Sequence, residues 1–143
     1  MCDSKAWFIA GALALFTGVT AITQTPSRSI RDGVYSDAQA VQGKALFQRS
    51  CAGCHGENLE GTMPGTALAS VEFVKKWEGS TIADLLTRVS ATMPQDQPGA
   101  LSRPEYLAVI AFILQSNEAK SGPSPLPTDD AELKTIRITS VKP

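Results

Sequence analysis

Five residues constrain this chain more than the other 138 together: Cys51-Ala52-Gly53-Cys54-His55. Two thiols separated by two residues, with an imidazole on the next, is the spacing used for covalent attachment of a c-type haem. Each sulfur can add to one vinyl group, and the imidazole, held directly behind them, reaches under the porphyrin to bind the iron. A zinc site competes poorly, because it needs four nitrogen or sulfur ligands and the chain offers no second His and one further Cys, Cys2. A thioredoxin-like dithiol would need a βαβ setting that the pattern does not contain. A plain disulfide leaves His55 without a role.

His55 is the only histidine, so bis-histidine ligation is excluded within one chain and methionine is the usual alternative. Met63 lies eight residues past His55, and Met93 lies 38 residues past it, immediately before Pro94. Met93 is the expected sixth ligand, since Pro94 stiffens the loop that would carry it. Met63 is expected to be a flexible core filler.

The rest of the chain is read around that motif. At 143 residues with 6% aromatic content, one domain with a thin protein core is expected, which an apolar cofactor would thicken. A net charge of -1 without a run of like charges excludes the basic footprint of a nucleic-acid binder. Asp37 is expected to cap a helix carrying Val41, Ala45, Leu46 and Phe47, which delivers Cys51 at its end. Thr81 with Asp84, and Ser102 with Glu105 around Pro104, read as capping boxes for two more helices. Their apolar stripes are Ile82, Leu85, Leu86 and Val89, then Tyr106, Val109, Ile110, Ile113 and Leu114. The expected fold class is all-α, three main helices around one covalent haem.

The ends are read as appendages. Lys5 followed by the uncharged run Ala6 to Ile22, with small residues at Val19-Thr20-Ala21, is expected to be a signal peptide or N-terminal anchor over residues 1–22. Export to the periplasm, soluble or anchored, follows, and such a compartment suits haem attachment. Residues 23–35 read as a linker, 36–120 as the domain, and 121–143 as a Pro-rich linker and tail, because Ser121-Gly122-Pro123-Ser124-Pro125-Leu126-Pro127 stops any helix.

With these residues in hand the sequence resembles the class I c-type cytochromes, over roughly Ala38 to Asn117. Gly43 and Phe47 stand where such proteins place a glycine and an aromatic on the first helix, and Val109 and Phe112 match their partners on the last. Gly43, lacking Cβ, would let the two helices cross closely. His55-Gly56, Leu59, Gly61, Phe73, Trp77-Glu78-Gly79, Met93-Pro94 and Pro98 to Ser102 running into Tyr106 are similar to the cytochrome c domains that serve periplasmic quinone-dependent dehydrogenases. The resemblance implies that Trp77 lies near the haem and offers its N–H to a propionate, and that the Pro64 carbonyl accepts from His55 Nδ1.

The function expected is a monohaem carrier of single electrons, not an enzyme by itself, with apolar wrapping from Leu46, Leu68, Leu85, Leu86 and Ile110 and an exposed haem edge beside Cys51 and Cys54. Its partners would be a dehydrogenase donor and an oxidase or other cytochrome as acceptor. Between Asp37 and Lys120 nine acidic side chains face seven basic ones, so strong electrostatic steering is not expected. Two alternatives stand beside it: a permanent haem c subunit of a larger dehydrogenase or respiratory complex, docked through its tail, and a haem enzyme or gas sensor with an open sixth position.

Overall fold

The computed structural model describes residues 26–63 and 65–140. The expected leader, Cys2 and Pro64 lie outside the described residues. In chain order the elements are β1 (Arg28–Ser29), α1 (Asp37–Ser50), α2 (Ala52–His55), α3 (Val71–Trp77), α4 (Ile82–Thr92), α5 (Arg103–Ser116), α6 (Asp130–Leu133) and β2 (Ile136–Arg137). The all-α expectation holds, with α1, α4 and α5 as the long helices.

Helix α5 is the axis of the molecule. Residues Tyr106 to Leu114 are all buried, an unbroken run of nine, and a helix that is apolar on every side must be covered on every side. α1 supplies one cover. A Cβ built on Gly43 would stand 1.8 Å from the carbonyl oxygen of Ala108, so the two backbones touch where no other residue would fit. Phe47 and Phe112 close the crossing with ring centroids 5.5 Å apart and planes tilted by 59°. The sequence places the start of α1 one residue late. Ser36, not Asp37, is the N-cap, its hydroxyl accepting from the Gln39 N–H. The buried face is accordingly Ala40, Gly43, Leu46 and Phe47, while Val41 and Ala45 point to solvent.

α4 covers α5 elsewhere with Ile82, Ala83, Leu85 and Leu86. Both capping pairs read from the sequence are present. Thr81 N–H and Oγ–H donate to Asp84 Oδ2 at 2.8 and 2.7 Å, and Ser102 makes the equivalent pair to Glu105.

The segments expected to be linker and tail also contribute to the core, outside the bounds of 36 and 120. Ile30, Val34 and Tyr35 before α1, and Leu126, Leu133, Ile136 and Ile138 after α5, are all buried in the same core cluster. β1 and β2 pair in parallel, Arg28 with Ile136 and Ser29 with Arg137. Past β2, Ile138 N–H donates to Ser80 O and its carbonyl accepts from Gly79 N–H, both at 2.9 Å, so the tail is held between the chain's first described residues and the turn before α4. Tyr35 Oη donates to Ala119 O at 2.5 Å, and Arg31 donates to the carbonyls of Asn117, Glu118 and Ser140. α5 ends at Ser116, ahead of the prolines, with Asn117 as its C-cap, and the proline-rich chain beyond turns back so that its apolar residues join the core.

Candidate haem site

The geometry of the site begins where α1 stops. Cys51 closes α1, its N–H donating to Phe47 O, and opens the single turn of α2, which keeps Ala52 half-buried against the core, leaves Gly53 and Cys54 exposed and turns His55 inward. Cys54 is exposed and Cys51 half-buried, both as free thiols. Burial, and then the neighbouring Cys54, push the Cys51 thiol up to about 11, so the folded chain carries a neutral S–H there in the physiological range.

His55 is 9% exposed. Its Nδ1 stands 2.7 Å from the carbonyl oxygen of Thr66, a distance that assigns the proton to Nδ1 and leaves Nε2 as the nitrogen free to bind a metal. This corrects the expectation for Pro64: the acceptor sits two residues further along the same loop. The loop is pressed against the motif. A Cβ on Gly65 would meet the Cys54 carbonyl oxygen at 2.0 Å, Thr62 Oγ1 donates to that same oxygen at 2.6 Å, and Gly61 N–H donates to His55 O at 2.8 Å. Asn117, at the end of α5, clamps the loop's far side: its Nδ2 donates to Leu68 O and Ile113 O, and its Oδ1 accepts from Ser70 N–H. Thr66 acts through a backbone carbonyl, which no side-chain motif announces. The only trace of Asn117 in the sequence is an Asn three residues after Leu114, the last residue of the α5 stripe.

The two methionines fare differently. Met63 is fully exposed, so it is no core filler. Met93 is half-buried and caps α4, with its N–H on Val89 O at 2.8 Å and its carbonyl accepting from Tyr106 Oη at 2.6 Å. The Met93-Pro94 bond is cis. Trp77, ending α3, is half-buried against the core.

Among the described residues no group of three or more His, Cys, Asp or Glu side chains is placed to hold a bare ion. One imidazole is sufficient only when a porphyrin brings the ring donors, and two cysteines within one helical turn of that imidazole are the means of attaching it. The donor set therefore fits haem c and does not fit zinc.

A helical domain whose first long helix ends in this motif, crossed by its last long helix at a glycine, is a class I c-type cytochrome domain. The chain belongs to the family described as cytochrome c oxidase, cbb3-type, subunit III, which it matches over residues 38–113, more than half its length. Membership implies covalent haem c. Among solved structures the chain is similar to the sulfane dehydrogenase SoxCD from Paracoccus pantotrophus, at 26% identity over 76% of this chain and with a TM-score of 0.47. It spans 61% of that SoxCD chain. No curated protein matches it.

Proposed function

We propose that this protein is a monohaem carrier of single electrons between exported redox proteins, with His55 and Met93 as the residues that would hold its iron. The observation that carries the reading is the buried His55 ring with Nδ1 committed to Thr66 O, which turns Nε2 into the one unused ring nitrogen beside two free thiols. Haem c, when bound, supplies a ferric/ferrous couple that moves one electron at a time.

The chain's own residues do the rest. Cys51 and Cys54 would hold the group by thioether bonds, so that it could not dissociate between encounters. Thr66 fixes the His55 tautomer and strengthens its donation. The soft sulfur of Met93 favours the reduced state. Leu46, Leu85, Leu86 and Ile110, all buried, with half-buried Leu68, exclude water and raise the cost of the extra ferric charge. Trp77, whose indole would donate to a propionate, completes the set. With His55 and Met93 both holding the group, no position would be left for a substrate, and the protein would not be an enzyme by itself. A dehydrogenase as donor and an oxidase or another cytochrome as acceptor suit a domain without a basic ring.

The test is an absorption scan of oxidised, correctly exported protein. The weak near-infrared band of sulfur-to-iron charge transfer is expected in the wild type and in Met63→Ala, and absent in Met93→Ala. A colourless product with the mass of the bare chain overturns the reading, and carbon monoxide binding to the reduced native protein overturns the sixth ligand.

The family's description as an oxidase subunit favours a second reading, a permanent haem c subunit of a respiratory complex. Such docking would use a surface other than Leu126, Leu133, Ile136 and Ile138, which are buried in this chain's own core. Stoichiometric co-purification of a partner from native membranes distinguishes it from a free carrier.

A further inference from the structure

We propose that Tyr106 is a positioning residue for the Met93 thioether, holding the ligand's backbone so that its sulfur stays on the iron; this rests on the reading of Met93 as sixth ligand. A methionine side chain has three rotatable bonds and a weakly donating sulfur, so its hold on a metal depends on how firmly its Cα is fixed. Both polar groups of the Met93 backbone are tied. Its N–H donates to Val89 O at 2.8 Å, the last bond of α4, and its carbonyl accepts from Tyr106 Oη at 2.6 Å. The next residue, Pro94, has no N–H and a fixed φ, and its carbonyl accepts from Gln97 N–H at 3.0 Å, so Tyr106 is the contact that holds the ligand's own carbonyl.

The anchor is itself rigid. Tyr106 is 3% exposed at the head of the buried run of α5, its N–H donates to Ser102 O at 3.0 Å, and the Ser102–Glu105 pair fixes the start of that helix. Removing the hydroxyl strands a half-buried carbonyl and releases the turn between α4 and Pro94. The consequence is a sulfur that leaves the metal more often, which an ordinary packing contact would not produce.

Tyr35 provides the control. Its hydroxyl also donates to a backbone carbonyl, Ala119 O at 2.5 Å, and its ring is 1% exposed, but it lies at the opposite end of α5. Tyr106→Phe and Tyr35→Phe therefore each delete one buried phenol-to-carbonyl bond and differ in whether Met93 is its acceptor. The experiment titrates both oxidised holoproteins with free imidazole, which competes with the thioether, and follows the near-infrared band while thermal melting is recorded in parallel. One lost hydrogen bond corresponds to roughly threefold to tenfold. Tyr106→Phe is expected to take up imidazole tighter by that factor and to show a lower reduction potential, with Tyr35→Phe matching the wild type in both although its melting falls comparably. Biosynthetic 3-fluorotyrosine in the Tyr35→Phe background, where Tyr106 is the only tyrosine left, makes the hydroxyl a stronger donor and should weaken imidazole uptake. Equal imidazole affinity in Tyr106→Phe and wild type overturns the proposal while leaving Met93 as ligand. A wild type without the band overturns both.

Discussion

The tightest constraints are single atoms. At Gly43 a methyl group would overlap the Ala108 carbonyl at 1.8 Å and its carbon at 2.4 Å, and neither is a flexible side chain that can step aside. Gly43→Ala should therefore push α1 from α5 and unstack Phe47 from Phe112, costing about 1–3 kcal/mol or more. Denaturant unfolding checks this: the midpoint should fall with the slope unchanged. Met63 makes the contrast, since full exposure means that Met63→Gln should stay within about 0.5 kcal/mol of the wild type. Gly43 and the attachment motif were legible because each depends on a residue type at a fixed spacing. The acceptor for His55 was not, because Thr66 contributes only a carbonyl, which every residue possesses.

Helix starts rest on a few hydrogen bonds, and those of α4 have a pH signature. The Thr81 N–H and then the Thr81 hydroxyl hold the Asp84 carboxyl below its ordinary 3.8, outweighing its burial, and Arg137 and Lys134 from the tail lower it further. A carboxylate depressed by folding contributes stability that is complete above its unfolded value and is lost as pH falls through the lower folded one. Melting temperature should thus be flat near neutrality and drop below about pH 4, with a shallower drop in Asp84→Asn. Thr81→Ala removes the reciprocal partner and should cost about 0.5–2 kcal/mol at pH 7, measured by thermal unfolding. These caps could be read in advance because Thr81 and Asp84, like Ser102 and Glu105, are three residues apart before an apolar stripe. The start of α1 was read one position late for a physical reason. Its buried face includes Ala40 and Gly43, whose smallness lets α5 approach, whereas the more hydrophobic Val41 is left 68% exposed. Hydropathy favours the wrong side of a helix when its contact is made by backbone proximity.

At the scale of the whole molecule, the two ends of the described chain complete the fold. Pairing of residues 28 and 29 with 136 and 137 spans more than 100 positions, and no local period can announce it. The clue available was α5 itself, whose residues from 106 to 114 are apolar throughout, apart from the Tyr106 hydroxyl, more than α1 and α4 alone can shield. Leu133 and Ile136, at 0% and 1% exposure, lie in elements that pack against α4 and so extend the same core from its side. A tail that were merely a tether would tolerate their loss; as part of the core, Leu133→Ala should cost about 2–5 kcal/mol. That is a large part of the about 5–15 kcal/mol that holds an ordinary domain. Removal of 121–143 should go further, yielding holoprotein that melts far below the full chain or none that folds. Differential scanning calorimetry of the Leu133→Ala holoprotein is the decisive measurement, because a docking tail would leave the melting temperature unchanged and lose only a partner, whereas a core segment lowers it in the isolated protein.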